Sequence, residues 1–494
     1  MLFKDFKGKV VHFVGIGGVS MSGVAKCFYE HGVVVQGSDS ALHESKYIQD
    51  FKDINIQLFD SHKEENICSG VVLVIKTSTI KDDNPEIIKA RSLNIPVIER
   101  YQALELIIAT FETRIGISGS SGKTTTAALI WQALCLQEKP SCIIGTILNE
   151  VQSSVFINDK SNVCVVEADE SDGSFVDMNF NVAVITDIDT DHLDHKRYGG
   201  DCNNLIDYFR RFASKALNCG GIVVYNSDCR TTCEVMQEFS PKFSHNIVSY
   251  SGIAKVSSMP SYKQGDCYLS SVKNVENGVV FSCGGYVAGE DVFMPMIGKF
   301  NAFNSLPGLV LLKRLFGIND TNTFNSFKGI KKRVEVVGSV DNITIIDDYA
   351  HSPKKIKTFI ESFTSYCRDV DAELVIICEP HKYTRVESLY DEYITCFDGC
   401  KNLIMMDIFG IQGGGVNNNI SSEKLTNDIQ IRWKKIKNHS FYIKCLKNNK
   451  DVLQEDTFSF VGEIVHRSQK VFYVFLGAGF SSNYAHTLFN KINK

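Results

Sequence analysis

An apolar stretch, Ile115 to Ile117, runs into Gly119-Ser120-Ser121-Gly122-Lys123-Thr124-Thr125-Thr126, and a helical pattern follows at once. Few arrangements narrow a chain's options so far. A buried strand that ends in glycines and reopens as a helix on lysine and threonine is a phosphate cradle. The glycines let successive backbone N–H groups approach phosphate oxygens, and the helix N-terminus adds positive potential. Lys123 then meets the β- and γ-phosphates of a triphosphate, and the Thr124 hydroxyl can hold Mg2+. Gly119, Ser120, Ser121, Gly122, Lys123, Thr124 and Thr125 are the expected nucleotide-phosphate contacts. Full P-loop spacing would put a glycine at position 117, where Ile117 stands, so the loop is a shortened variant.

A loop of this kind belongs to an α/β domain, and the pattern around it repeats. With 494 residues the chain exceeds what one core supports, about 250 to 300 residues. Three α/β blocks are expected, over residues 1–110, 111–328 and 329–494. The first opens with strand Val10 to Val14, the turn Gly15-Ile16-Gly17-Gly18 and a helix-like run from Met21 to Tyr29. Strands Val33 to Gln36 and Val71 to Ile75 follow, ending in Gly37-Ser38-Asp39 and Lys76-Thr77-Ser78. Polar residues beyond parallel strands are where such sheets bind ligands. Gly15, Gly17 and Gly18 suit a pyrophosphate, Asp39 comes within range of a ribose hydroxyl, and Ser78 stands at the third strand's end. NAD, FAD or a nucleotide sugar would all fit, because the dinucleotide fingerprint breaks at Ser20. A nicotinamide-dependent dehydrogenase is therefore one reading, although hydride transfer has no need of the second phosphate loop.

In the central block, strands Val163 to Val166 and Val182 to Ile185 run into Glu167 to Asp172 and Thr186 to Asp194. Magnesium takes oxygen ligands and keeps several waters, so one or two side chains beside bound phosphates suffice. Glu167 and His192 are the expected ligands with Thr124; five carboxylates around one ion would repel one another, so the other acids are expected to be solvated, capping or orienting groups. From Gly252 to Met296, glycines, serines and alternating apolar residues suggest short antiparallel strands or an insertion. The last block carries Asp347-Asp348-Tyr349-Ala350-His351-Ser352-Pro353 and Glu379-Pro380-His381-Lys382-Tyr383-Thr384-Arg385 after its strands. These look like substrate-facing loops, with Lys382 and Arg385 able to hold a carboxylate or phosphate.

Composition excludes little but excludes it cleanly. A net charge of −5 gives no nucleic-acid footprint, and no apolar run approaches the ~20 residues of a membrane span. His12 and the following glycines interrupt the only stretch resembling a secretion signal, so a cytoplasmic protein is expected. The sixteen cysteines include no C-x-x-C pair, and Cys229 with Cys233 and Cys396 with Cys400 read as small buried hydrophobes.

Taken in order, His12 to Gly18 with Met21-Ser22-Gly23, Gly37-Ser38-Asp39, Gly119 to Thr126, Glu167 to Phe175, Asp191 to Asp194, Asp347 to Pro353 and Pro380 to Arg385 resemble the Mur ligases of peptidoglycan synthesis. The resemblance runs over nearly the whole chain and is strongest to the branch that adds L-alanine to UDP-N-acetylmuramate. It implies three domains: an N-terminal Rossmann-like one for the UDP moiety, a central P-loop ATPase-like one, and a C-terminal Rossmann-like one for the amino acid. It also implies an ATP- and Mg2+-dependent ligase that makes an acyl phosphate and lets an amine attack it. Carried over residue by residue, Lys123 and Thr124 would meet ATP and magnesium, Glu167 and His192 magnesium, and Asn301 and Asn304 the nucleotide. Arg333, Asp348, Tyr349, His351, His381, Lys382 and Arg385 would meet ATP phosphates or substrate, with His351 and Arg385 joining Lys123, Glu167 and His192 in catalysis. The pattern departs at Lys299-Phe300, at Ser352 and Lys382, and over Ile408 to Gly415, and no carbamylated lysine is expected. The murein tripeptide-recycling ligases of the same superfamily are the nearest alternative.

Overall fold

The computed structural model describes residues 2–42, 51, 56–189, 197–252, 265–410, 420–436, 441–446 and 470–493. The chain forms two compact units, one of residues 1–271, 281–292 and 303–328, the other of residues 272–280, 293–302 and 329–494. Three sheets carry the architecture.

The first sheet contains β1 (Val10–Val14), β2 (Val34–Ser38), β3 (Gln57–Phe59), β4 (Val71–Lys76) and β5 (Val97–Glu99), in the order β3-β2-β1-β4-β5. Every pairing is parallel. Parallel strands are covered on both faces, which explains their near-continuous valine and isoleucine content. Helix Val19–Glu30 begins directly after the glycine turn, with extended Gly18 as its N-cap. Its Val24 and Phe28 pack into the same core as Val11, Phe13 and Val35.

One polar cluster interrupts this apolar interior. Glu86, fully buried on helix Pro85–Ser92, accepts hydrogen bonds from Ser38 Oγ at 2.6 Å and Asn66 Nδ2 at 2.6 Å, and lies 3.3 Å from His12 Nε2 and 3.2 Å from His62 Nδ1. Burial alone would raise its pKa. Hydrogen bonding and charge from His12, with the Ser38 and Asn66 hydrogen bonds, outweigh burial and hold it below the usual range. Ser38 is also the residue whose carbonyl receives the Gly15 and Ile16 N–H groups, so the cluster anchors the end of β2 beneath the glycine turn. Glu86→Gln keeps the shape but loses the charge that these donors share. It should cost about 2 kcal/mol, the scale of one hydrogen bond to a charged group, read as a lower urea midpoint at unchanged slope.

The second sheet comprises β6 (Thr113–Ser118), β7 (Ser141–Leu148), β8 (Ser153–Phe156), β9 (Val163–Glu167), β10 (Val182–Ile185), β11 (Ile222–Asn226), β12 (Ile247–Ser251), β13 (Cys267–Val275), β14 (Gly278–Gly285) and β15 (Gly289–Met294). Its order is β15-β14-β13-β12-β11-β10-β6-β9-β7-β8. Strands β13 to β15 occupy most of the stretch whose alternating pattern suggested short strands. The decisive feature lies at the middle. β6 runs parallel to both β9 and β10, so the loops after these three strands open side by side at one edge of the sheet. Close packing fixes β6 there: a Cβ on Gly116 would stand 2.6 Å from the Phe180 ring.

The third sheet holds β16 (Glu335–Val340), β17 (Ile343–Asp348), β18 (Ala372–Cys378), β19 (Asn402–Met405), β20 (Tyr442–Cys445) and β21 (Lys470–Leu476), ordered β16-β17-β21-β18-β19-β20. Among the described residues only the β16–β17 pair of this sheet is antiparallel. Alternating side chains divide between two cores. Ile346, Ile376 and Val474 pack with Ile356 and Phe359 of helix Pro353–Asp369, while Ile345, Ile377 and Phe475 pack with Ala485 and Leu488 of helix Ser481–Ile492.

Candidate active site

The phosphate loop leaves β6 and turns on two glycines with positive φ, Gly119 at 142° and Gly122 at 80°, before helix Lys123–Leu134 begins. Both conformations are ones that L side chains rarely adopt. At Gly119 space is also closed, since a Cβ would stand 2.1 Å from Thr186 Oγ1 and 2.8 Å from the Asp187 backbone. The loop is tied to the end of β10. Ser121 N–H donates to Asp187 Oδ1 at 2.8 Å, and Ser120 Oγ accepts the Asp189 N–H at 3.0 Å. Asp187 thus orients the loop, one of the roles expected for the acids beyond the ligands.

Lys123 reaches back to the Gly119 carbonyl at 2.8 Å and lies 2.7 Å from Glu170 Oε2 and 3.8 Å from Asp169 Oδ1. Burial works to lower its pKa, and the charges of Glu170, Asp169 and Glu167 overturn that and raise it, so the ammonium stays charged. Glu170 is almost completely buried and is pushed up to about 7, by burial first, with Asp169 adding and Lys123 opposing. Its carbonyl accepts the Tyr198 hydroxyl. Sequence reasoning grouped Glu170 with the solvated or orienting acids, because an acid among acids reads as surface. It is instead the lysine's buried partner.

Thr124 Oγ1 donates to Glu167 Oε1 at 2.7 Å, and Glu167 Oε2 accepts the Gly145 N–H at 2.7 Å. A hydroxyl and a carboxylate oxygen at this separation, one opening a helix and one closing β9, are hard oxygen donors of the type Mg2+ takes. His192, the third expected ligand, lies outside the described residues, as do the neighbouring Asp191 and Asp194. Asn304 lies against the loop: a Cβ on Gly122 would stand 3.1 Å from its Oδ1. Asn301 is buried, with its Nδ2 on the Ile297 carbonyl at 2.9 Å.

At the first sheet, Asp39 directs both oxygens to backbone, accepting Gly17 N–H at 2.9 Å and Ala41 N–H at 2.9 Å. Gly15 sits near Thr77, and Ser78 is exposed at the end of β4. Ser20, the break in the dinucleotide fingerprint, accepts a hydrogen bond from Arg100 Nη1 at 2.8 Å. Arg100 also lowers the Asp169 pKa, behind larger effects from burial, Lys123 and Ser171. No spacing in the sequence singled Arg100 out.

The third sheet gathers a separate cluster. Arg333 lies over the Tyr349 ring at 5.3 Å, Tyr349 meets the His351 ring edge-on at 4.8 Å, and His351 meets His381 at 5.5 Å. His381 stacks on Phe409 at 5.3 Å and receives Arg385 Nη1 on its Nδ1 at 3.1 Å. Lys382, at φ 66°, pairs its N–H with the Phe409 carbonyl at 2.8 Å. Asp348 is buried beneath, accepting Val334 and Ala350 N–H groups at 2.9 and 2.8 Å. Burial pushes His351 down to about 3 and His381 to about 4, the latter with help from Arg385 and Lys382, so both rings are neutral at physiological pH. Glu379 does not join this surface: it is buried and accepts the Ser481 N–H at 2.9 Å.

Family models match three successive stretches of the chain. Residues 10–112 match the model "Mur ligase family, catalytic domain", residues 117–312 "Mur ligase middle domain", and residues 332–455 "Mur ligase, glutamate ligase domain". A protein of Rickettsia felis named UDP-N-acetylmuramate–L-alanine ligase is 30% identical over 506 aligned positions, covering 100% of this chain and 99% of its own length. The chain belongs to the Mur ligase family. A Rickettsia rickettsii protein of the same name is 33% identical to this Mur ligase over 84% of the chain and 85% of its own length. Among solved structures, the UDP-N-acetylmuramate-alanine ligase MurC of Thermotoga maritima superposes with TM-score 0.73 at 21% identity, covering 98% of this chain and 99% of that one. A murein peptide ligase of Psychrobacter arcticus gives TM-score 0.61 at 16% identity, with 99% of each chain covered. These two likenesses establish the three-domain α/β Mur ligase fold. Among the described residues no helix is long and apolar enough to cross a membrane.

Proposed function

We infer that this Mur ligase joins L-alanine to UDP-N-acetylmuramate with ATP and Mg2+, in the cytoplasm, as a step in peptidoglycan precursor synthesis. The observation that carries the inference is the juxtaposition of Lys123 and the Thr124–Glu167 pair at adjoining strand ends of the second sheet. The names of the rickettsial relatives, one of them covered over 99% of its length, supply the substrates. In this reading residues 1–110 hold the UDP moiety on Gly15, Gly17 and Gly18, with Asp39 bracing the turn and Ser78 beside it. Residues 111–328 hold ATP on Gly119 to Thr125 with Asn304, and residues 329–494 serve the amino acid.

Thr124, Glu167 and His192 would hold Mg2+. When bound, the ion would neutralise phosphate charge during transfer to the muramyl carboxylate, a reaction between two anions. Lys123 adds a fixed positive charge at the helix start, exchanging Glu170 and Asp169 for phosphate oxygens. On the C-terminal sheet, the Tyr349 carbonyl takes His351 Nδ1 at 2.8 Å, which assigns the proton to that nitrogen and leaves Nε2 as an acceptor for the incoming amine. Arg385 uses one N–H on His381 and keeps others for a carboxylate, and Arg333, Asp348 and Lys382 are assigned to ATP phosphates or substrate. Asn301, at the start of helix Lys299–Phe316, is assigned to the nucleotide with Asn304.

Purified protein should release phosphate only when ATP, Mg2+, UDP-N-acetylmuramate and L-alanine are all present. If glycine or L-serine supported equal rates, the alanine assignment would fail. Activity with a murein tripeptide and none with alanine would move the enzyme to the recycling branch, and a nicotinamide absorbance change would return the dehydrogenase.

A further inference from the structure

The antiparallel pairing of β16 and β17 places Glu335 opposite Asp347, two carboxylates facing each other across adjacent strands. Like charges in that position destabilise a sheet unless something positive stands between them. Both residues are buried, Glu335 at 7% and Asp347 at 0% exposure, and neither Asp347 oxygen has a hydrogen-bond partner. Asp347 belongs to the face of β17 that lies under helix Ser481–Ile492, opposite to the face of its neighbour Asp348. His486 projects from that helix to the same point. One ligand atom from each of Glu335, Asp347 and His486 lies within 4.8 Å of the other two.

We propose that Glu335, Asp347 and His486 form a binding site for a divalent transition-metal cation of the Zn2+ or Co2+ class. Two carboxylate oxygens alone would suit Mg2+ or Ca2+; the imidazole nitrogen moves the preference to borderline ions. The donors come from β16, β17 and the last helix, so a bound ion would tie that helix to the strand pair. The surroundings already orient the ligands. Lys331 Nζ and the Lys332 N–H bond the two Glu335 oxygens, a supporting layer of the type that fixes metal-binding carboxylates. The Asp347 carboxyl is pushed up to about 6, by burial first, with Glu335 and Asp348 adding and the nearby Ser482 hydroxyl and Lys332 opposing. The site lies on the third sheet, distinct from the Thr124–Glu167 pair on the second, and does not depend on the ligase reading.

Cobalt separates this site from the Thr124–Glu167 pair. Chelator-stripped full-length protein should bind Co2+ with visible ligand-field bands, and His486→Gln or Asp347→Asn should abolish that absorbance or weaken the affinity at least about tenfold. Glu167→Gln should leave the bands in place. Zn2+ should raise the melting temperature of wild-type protein and not of His486→Gln, whose half-exposed position makes it a mild change to the fold. Bands unchanged in His486→Gln, or lost in Glu167→Gln instead, would overturn the proposal. So would the absence of any Co2+ signal in stripped wild-type protein.

Discussion

Replacing Lys123 with alanine should reduce turnover by about a thousandfold or more, the scale of losing one preorganised charge from a phosphoryl-transfer or oxyanion site. The fold should survive, for a reason visible in its partner. Glu170 has a folded pKa of about 7 against about 4.3 unfolded, so the stability its protonated form contributes is whole below the lower value and is lost as pH rises through the upper. Without the opposing lysine the folded value climbs further, and the carboxyl stays neutral at pH 6. Thermal unfolding at pH 6 should therefore match the wild type, while at pH 8.5 the variant should melt earlier. A Lys123→Ala enzyme with near-normal phosphate release would end the assignment of this loop to ATP.

Glu167→Gln should be nearly as damaging through a different term. The amide can still meet Thr124 and the Gly145 N–H in shape, but it brings no negative charge to a divalent ion. Turnover should fall about 10²- to 10³-fold, and the Mg2+ concentration for half-maximal rate should rise about ten- to a hundredfold. Excess Mg2+ should recover part of the rate, which no amount should do for Lys123→Ala. Steady-state phosphate release across a magnesium series separates the two variants. If the Glu167→Gln rate fell with an unchanged magnesium midpoint, the carboxylate would have a positioning role instead.

The backbone framework was legible because parallel strands buried on both faces write themselves as short apolar runs. Observed strands extend the readings by one or two residues, as in Thr113–Ser118 around Ile115 to Ile117, since the polar end residues pair in the ladder although they do not look like strand. The strand-to-helix glycine turn was legible for the opposite reason: its glycines and lysine are adjacent in sequence, so the local pattern alone announces it. What could not be read depends on direction. Glu167 and Glu170 sit three apart in one acidic run, yet the first meets a helix hydroxyl and the second turns into the interior beneath Lys123. Asp347 and Asp348 are neighbours that face opposite cores, and only the sheet tells them apart. The His381–Phe409 stack joins residues brought together by an isolated bridge, and no local pattern announces it.

The lysine of the phosphate loop rests against carboxylates of its own chain. Those carboxylates are tethered, so their local concentration is on the order of millimolar or higher, and any free anion must displace them to reach the ammonium. On the proposed reading a triphosphate would do so by also engaging the loop's N–H groups and the proposed magnesium ligands, many contacts at once. Inorganic phosphate, the small fragment left when the amide bond closes, has far fewer. On the proposed reading, the internal pairing that keeps a buried charge satisfied would compete with inorganic phosphate for Lys123 and favour the product's departure.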